Sequence, residues 1–301
     1  MPKIIECIPN FSEGRNKAVI EALAARAKSF SGVMLLDYSA DESHNRSVFT
    51  LAGDPVGIAE AAFSLCALAA ELIDMTKHSG EHPRMGATDV IPFVPVRGTT
   101  IEECAEISKE VAKRVWDELK IPCFLYEFSA SSPARKDLAD VRKGQFEGMP
   151  QKLLRPEWHP DFGEREIHPT AGVTAVGARE ILVAYNVNLN TSDVNIAKAI
   201  ARAIRGSNGG FRYCKAIGVK LAERGISQVS MNFVNFSETP IFRVFEAIRA
   251  ETERYGVSII GSELVGLAPA KALIDCAEYY LQLESFDYEA QVLENHLLNY
   301  F

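Results

Sequence analysis

Between residues 78 and 98 the chain reads HSGEHPRMGATDVIPFVPVRG, and His78, Glu81, His82, Arg84 and Asp89 fall within a dozen positions. The imidazoles have ordinary pKa values suited to proton transfer near neutral pH, the carboxylates are acceptors, and the guanidinium matches an anionic group. Gly80 and Pro83 bracket the Glu81–His82 pair and forbid regular helix there. Gly86 permits a second tight turn or a close approach of backbone to a ligand. The stretch is therefore a shaped loop, and loops on a rigid scaffold are where binding and catalysis concentrate. The i, i+4 spacing of His78 and His82 is that of a zinc helix. Glycine and proline spoil that helix and no third clustered ligand is visible, so no metal is expected. A polar connection with no chemistry is the competing reading, and the density of titratable groups weighs against it.

Two further stretches carry polar groups at useful places. In NFSEGR, residues 10–15, Asn10, Ser12 and Gly14 can offer donors at a helix N-terminus, which suits an anion or serves only as a cap. In SADESHNR, Asp41, His44, Asn45 and Arg46 crowd a turn-forming connection.

The elements that must position these groups follow from periodicity. Residues 3–9 read as a strand and 19–27 as a helix, then 33–38 and 47–52 as strands. Asp54 with Pro55 opens a core helix over 56–75. The segment 90–96 is apolar, but Pro92 and Pro95 confine it to an edge or irregular strand. Thr100 with Glu103 makes a capping box for a helix burying Ile101, Cys104, Ile107, Val111, Val115 and Leu119. A strand over 123–128 follows, then a short helix from Pro133 that Gly144 closes. Residues 145–178 hold several prolines and glycines without a long periodic segment, which reads as a linker or ligand-covering loop.

The second half repeats the pattern: strand 181–189, helix 194–205, hairpin 213–221 and 226–235, helix 241–255, strand 257–261. Both halves thus have the βαββαβ order, giving an α+β protein of two ferredoxin-like subdomains, 1–178 and 179–301. Alternation puts Asn186 and Asn188 on one strand face, and Gln228 and Asn232 opposite Val229, Met231 and Phe233. Buried amides left unpaired would cost about 1–3 kcal/mol each. The sheet is therefore expected to carry helices on one side and a wet, hydrogen-bonding cleft on the other, facing the first half.

The 301 residues, 47% hydrophobic and 24% charged, suit a soluble globular protein with a large core. A net charge of −8 without a basic run argues against nucleic acid, although local arginines can hold a small anion. No apolar run reaches the roughly 18–20 residues of a membrane span and no signal peptide is visible, so a cytoplasmic location is expected. The six cysteines are scattered without a CxxC pair and read as reduced core residues.

ECIPNFSEGR, HNRSVFT, IDMTKHSGEHPRMGATDVIPFVPVRG, EWHPDFG, NVNL and GSELVGL closely resemble glutamate formiminotransferase, the formiminotransferase part of formiminotransferase-cyclodeaminase. The resemblance spans nearly the whole chain and implies the stand-alone form. It implies two subdomains whose sheets face each other across a folate tunnel with helices outside, and a homodimer. It implies transfer of a formimino group from N-formimino-glutamate to N5 of tetrahydrofolate, a co-substrate, with no metal or prosthetic group. The histidine of GEHPRMG, His82, is then the proton-transfer catalyst. The folate loop corresponds to Gly163, Glu164, Arg165, Glu166, Ile167, His168, Pro169, Thr170, Ala171 and Gly172, and is more charged than in animal members. Some members carry an acid where this chain has Ser39, leaving Asp37 or Asp41 to orient His82. Both substrates are polycarboxylates, so Arg15, Arg46 and Arg84 are the expected clamps. Glu81, Asp41 and Asp89 are candidate acceptors for an amidinium donor. Formyl transfer from N-formyl-glutamate and folate binding without turnover are the alternatives.

Overall fold

The computed structural model describes residues 3–297, and the chain divides after Glu180 into two compact units. The first contains β1 (Ile4–Cys7), β2 (Asn10–Phe11), α1 (Lys17–Lys28), β3 (Val33–Asp41), β4 (Arg46–Gly53), α2 (Pro55–Leu72), β5 (Thr88–Arg97), α3 (Ile101–Leu119), β6 (Cys123–Glu127), α4 (Leu138–Val141), α5 (Gln145–Leu153) and β7 (Thr174–Ala178). β3 pairs β4, the broken strand β1–β2 lies between β4 and β5, and β7 and β6 continue the sheet in parallel beyond β5.

Local signals set the helix starts. Asp54 accepts from Val56 N and Gly57 N ahead of Pro55, and Thr100 with Glu103 forms the capping box of α3. The main core lies between α1–α3 and one sheet face, and includes Ile5, Cys7, Phe11, Phe49, Leu51, Ile91 and Phe93. Phe11 meets Phe49 edge-on at 5.4 Å, a geometry worth about 0.5–1.5 kcal/mol beyond burial. On the other face α5 and its surroundings cover only part of the sheet, through Val90, Phe124, Tyr126, Met149, Leu153 and Ala175. Glu6, Asn10, Arg46, Val48 and Thr50 remain partly exposed there, in alternation with core residues of the same strands.

Three expectations do not hold. β5 is central rather than an edge, paired with β1 and β2 on one side and β7 on the other. Pro92 O accepts from Ile8 N at 3.2 Å, so the missing donor of Pro92 faces the gap where β1 gives way to β2. Pro95 lies beyond Phe93, the last partner of β7, so neither proline removes a bond from the ladder. Residues 145–178 are not a linker, since they hold α5 and the interior strand β7. Every residue of β7 (TAVGA) is buried, and a short run of small residues covered on both faces shows no alternation. Finally, α2 is long and apolar enough by length and mean hydropathy to cross a membrane. It carries Glu60 and Glu71, pairs Glu60 with Arg114 of α3, and buries Ile58, Ala61, Ala62, Phe63, Leu65, Cys66 and Ala69.

The second unit contains β8 (Val183–Leu189), α6 (Val194–Ile204), β9 (Cys214–Leu221), β10 (Ile226–Phe233), α7 (Ile241–Arg254), β11 (Ile259–Val265) and α8 (Ala270–Leu281). Its strands lie in the order β11-β8-β10-β9, all antiparallel. Val187, Leu189, Val229, Met231 and Phe233 pack with Ile200, Ile204, Val244 and Ile248 of the helices. β11 runs four residues past the expected Gly261, and α8 is an addition to the expected elements.

Candidate functional site

The stretch from Ser79 to Ala87 runs without helix or extended strand between α2 and β5, and its shape is fixed by close backbone approaches. A Cβ at Gly80 would lie 2.4 Å from His44 O, and one at Gly86 would lie 2.1 Å from Val173 O. Only glycine admits contacts this near. Gly80 thereby laces the loop to the Asp41–Arg46 turn, and Gly86 laces it to the chain entering β7.

Hydrogen bonds join the same segments. Ser12 Oγ donates to Gly86 O at 2.8 Å, and Gly14 N donates to Asn45 Oδ1 at 2.9 Å. Asn45 Nδ2 donates to Ser79 O at 2.9 Å, and Glu81 N to Ser43 O at 3.2 Å. Asn10 turns its amide back to Ile8 O. NFSEGR, the SADESHNR turn and the histidine loop, separate in sequence, are thus one structure.

His78 and His82 sit in this frame differently. Arg84 Nε donates to His78 Nδ1 at 3.1 Å, so Nε2 carries the proton that meets Asn45 O at 2.9 Å. Burial, then the charges of Arg84 and Arg15, lower the pKa of His78 against the raising contact with Asn45. It is a neutral structural tie. His82 Nε2 lies 2.8 Å from Arg46 Nη1. Guanidinium only donates, so Nε2 is the unprotonated nitrogen and the ring is neutral. Burial, then the charges of Arg46, Arg142 and His44, lower the pKa of His82 to about 3 against a raising contact with the Pro83 backbone. Arg46 is itself lowered by burial and by Arg142, and makes no ion pair among the described residues.

The other expected clamps are occupied. Arg84 is buried and held by both oxygens of Glu147, at 2.6 and 2.9 Å, and by Gln145 Oε1 at 2.8 Å. Arg15 is exposed, with Nε on Glu42 O at 2.8 Å. The acids are largely committed too. Asp41 takes His44 N and pairs with His44 Nδ1, both at 2.8 Å. Asp89 accepts from Met85 N and from Arg142 Nε, both at 2.9 Å. Glu81 is exposed.

The Gly163–Gly172 segment divides in two. Thr170 O accepts from Met75 N at 2.8 Å and Ala171 O from Ala87 N at 2.9 Å. His168 and Gly172 exchange backbone bonds at 3.0 Å, with Gly172 at φ +71 bridging Gly86. His168 Nδ1 accepts from Ala171 N, burial lowers its pKa, and Ile167 packs on the smaller core. Pro169 is exposed. Gly163, Glu164, Arg165 and Glu166, by contrast, line a surface recess with His159 and Pro160.

In the second unit the amide face is a network. Gln228 Nε2 donates to Asn188 Oδ1 at 2.8 Å, and Asn188 Nδ2 to Glu263 Oε1 at 2.9 Å, which Arg224 also meets. Glu263 is lowered chiefly by the bond from Asn188. Asn186 stands beside Glu263 and Ser230 in register, and Asn232 is exposed farther along β10. Sequence reasoning missed Glu263 and Arg224, though Glu263 lies within GSELVGL, one of the stretches that carry the family resemblance. It also missed Arg142, whose DVRKG context carries no periodic signal. Among the described residues no group of three or more His, Cys, Asp or Glu could hold a metal ion.

Comparison with known proteins covers both units. Residues 4–179 match the model of the formiminotransferase domain, N-terminal subdomain, and residues 184–297 that of the formiminotransferase domain. The chain is 67% identical to a glutamate formimidoyltransferase of Streptococcus pyogenes serotype M1, over 99% of this chain and 100% of that one. It is 45% identical to a glutamate formimidoyltransferase of Thermoplasma acidophilum, over 98% of this chain and 97% of that one. It is 42% identical to the formimidoyltransferase-cyclodeaminase of Mus musculus over 94% of this chain, and spans 53% of that protein.

Proposed function

The chain belongs to the formiminotransferase family, and from that premise we propose that it moves a formimino group from N-formimino-L-glutamate to N5 of tetrahydrofolate, giving 5-formiminotetrahydrofolate and glutamate. The observation that carries the reading at the site is His82. It is a neutral imidazole on a constrained loop, with its unprotonated nitrogen turned to a guanidinium that has no carboxylate partner among the described residues.

The chemistry needs one proton relay. As N5 attacks the amidine carbon and the N5–C bond forms, N5 loses a proton, which His82 Nε2 accepts. As the bond from carbon to the glutamate nitrogen breaks, the same proton passes to that nitrogen. Such transfer contributes about 10²- to 10⁴-fold, and holding both reactants at attack distance contributes further. Tetrahydrofolate enters as co-substrate, and the relay requires no metal or prosthetic group. Arg46 is the clamp for a substrate carboxylate, since Arg84 is tied to Glu147. The segment 163–172 and the amides Asn186, Asn188, Gln228 and Asn232 are the proposed folate contacts.

The strand orders β3-β4-β1-β5 and β11-β8-β10-β9 support a ferredoxin-like reading of each unit. The same reading carries sheets facing across a folate tunnel, a homodimer, a cytoplasmic place in histidine degradation and one-carbon metabolism, and no nucleic-acid or membrane partner. The test is competition between formimino- and formyl-glutamate at equal concentration. An amidinium presents donors where a formamide presents an acceptor, and a mismatched polar group is worth about 1–3 kcal/mol, so the formimino product should exceed the formyl product by at least about fivefold. Preference for the formyl donor would overturn the donor assignment.

A further inference from the structure

The bond between Arg46 and His82 places a cation on the atom that the reaction needs free. Arg46 Nη1 donates to His82 Nε2 at 2.8 Å, so the lone pair that would take the proton from N5 is already engaged. Geometry fixes the direction, because guanidinium has no lone pair to return. Arg46 has meanwhile no carboxylate within ion-pair distance among the described residues, although Asp41 and Asp89 act on it from farther off. A second guanidinium, Arg142, is held nearby by Asp89 and repels it. Two cations meet here, and the two carboxylates that act on them are committed elsewhere, Asp89 to Arg142 and Asp41 to His44, so Arg46 lacks a carboxylate of its own among the described residues. An incoming carboxylate offers Arg46 a bidentate partner, and charge-assisted pairs of that kind are roughly twice as strong as neutral hydrogen bonds.

We propose that Arg46 is a reversible cap on His82: a carboxylate of the glutamate substrate draws the guanidinium off Nε2, and only then is the base free to take a proton. The proposal rests on the reading of His82 as the base. It makes Arg46 a positioning residue whose position couples occupancy of the site to the basicity of His82. The charged and titratable groups that face His82 are Arg46 from β4, Arg142 from the turn after α4, and His44 from the turn before β4, with Asp89 of β5 behind Arg142 and Asp41 beside His44. Of these, Arg46 is the one that meets the ring nitrogen by hydrogen bond. The lowered pKa of His82 agrees with the capped state, and neutralising or moving Arg46 removes its second-largest cause after burial.

The test follows the His82 ring by NMR across about pH 2 to pH 8, its resonance identified by absence in His82→Gln. The full chain is titrated alone and with saturating L-glutamate, which is the reaction product and carries both carboxylates. In the unmodified protein glutamate should raise the midpoint of His82 by at least about one pH unit, roughly tenfold in proton affinity. In Arg46→Gln the midpoint should already be raised without ligand, and glutamate should move it little. A midpoint in the unmodified protein that ignores saturating glutamate overturns the proposal, whatever the variant does. So does an equal glutamate shift in Arg46→Gln. The readout needs no turnover, so activity surviving in His82→Ala would remove the base assignment while leaving the cap to be judged on its own result.

Discussion

Replacing Asp89 by Asn should destabilise the first unit by removing a charge and the acceptor that Arg142 uses. Asp89 is 1% exposed, its Oδ1 accepts from Met85 N at 2.9 Å, and its Oδ2 accepts from Arg142 Nε at 2.9 Å and from Arg142 Nη2. Asparagine keeps the shape and an acceptor for Met85 N but removes the negative charge and sets an amide NH2, a donor, against the donors of Arg142. Arg142, with its side chain 16% exposed, is then left facing Arg46. Breaking a buried pair costs about 3–5 kcal/mol, and the remaining solvent contact of Arg142 puts this case near about 3. For a unit of this size each kcal/mol shifts the melting temperature by about 2–4 °C, which gives a fall of about 6–12 °C. Calorimetry on the full chain would measure it. Arg142→Met added to the first substitution removes the stranded cation, so the double variant should melt above Asp89→Asn alone. A fall of less than about 2 °C, or purely additive losses in the double variant, would refute the idea that this pair is buried and coupled.

Gly86→Ala would put a Cβ 2.1 Å from Val173 O and 2.7 Å from Ala171 O, both backbone atoms. The loop must move, at about 1–3 kcal/mol, and a displacement near 1 Å can lower kcat by about 100-fold. Steady-state kinetics beside a thermal melt checks both, and unchanged kcat would separate the loop shape from catalysis. Stability should also depend on pH through His82, whose pKa falls to about 3 on folding. Below about pH 6.5 the unfolded chain binds a proton that the folded protein does not, so stability declines with falling pH through that window. His82→Gln should flatten the decline, read as urea midpoints against pH, and an unaltered slope would mean that His82 titrates normally.

Much of the fold is legible in the order of the residues alone. Capping residues at Asp54 and Thr100 and the apolar stripes mark the helices, and alternation in β10 separates the core face from the amide face. Proline misleads at β5, because its position in the ladder depends on where neighbouring strands break, which the local sequence does not encode. β7 is invisible because a strand covered on both faces has no period. At the site, the density of polar groups locates the histidine loop. It does not distinguish Arg84, buried and paired with Glu147, from Arg46, which has no such partner among the described residues. That difference is set by contacts such as Arg84–Glu147, 63 positions apart in the chain. Arg142 and Glu263 escape for the same reason, since their partners Asp89 and Asn188 lie 53 and 75 positions away.

His82 is where the proposed chemistry is most directly exposed to test. Its replacement by Ala should lower kcat for formimino transfer at least about 100-fold while leaving folate affinity within several-fold, since proton transfer is lost and the pocket is not. Turnover of the folded variant at the rate of the unmodified protein, at neutral pH, would contradict it.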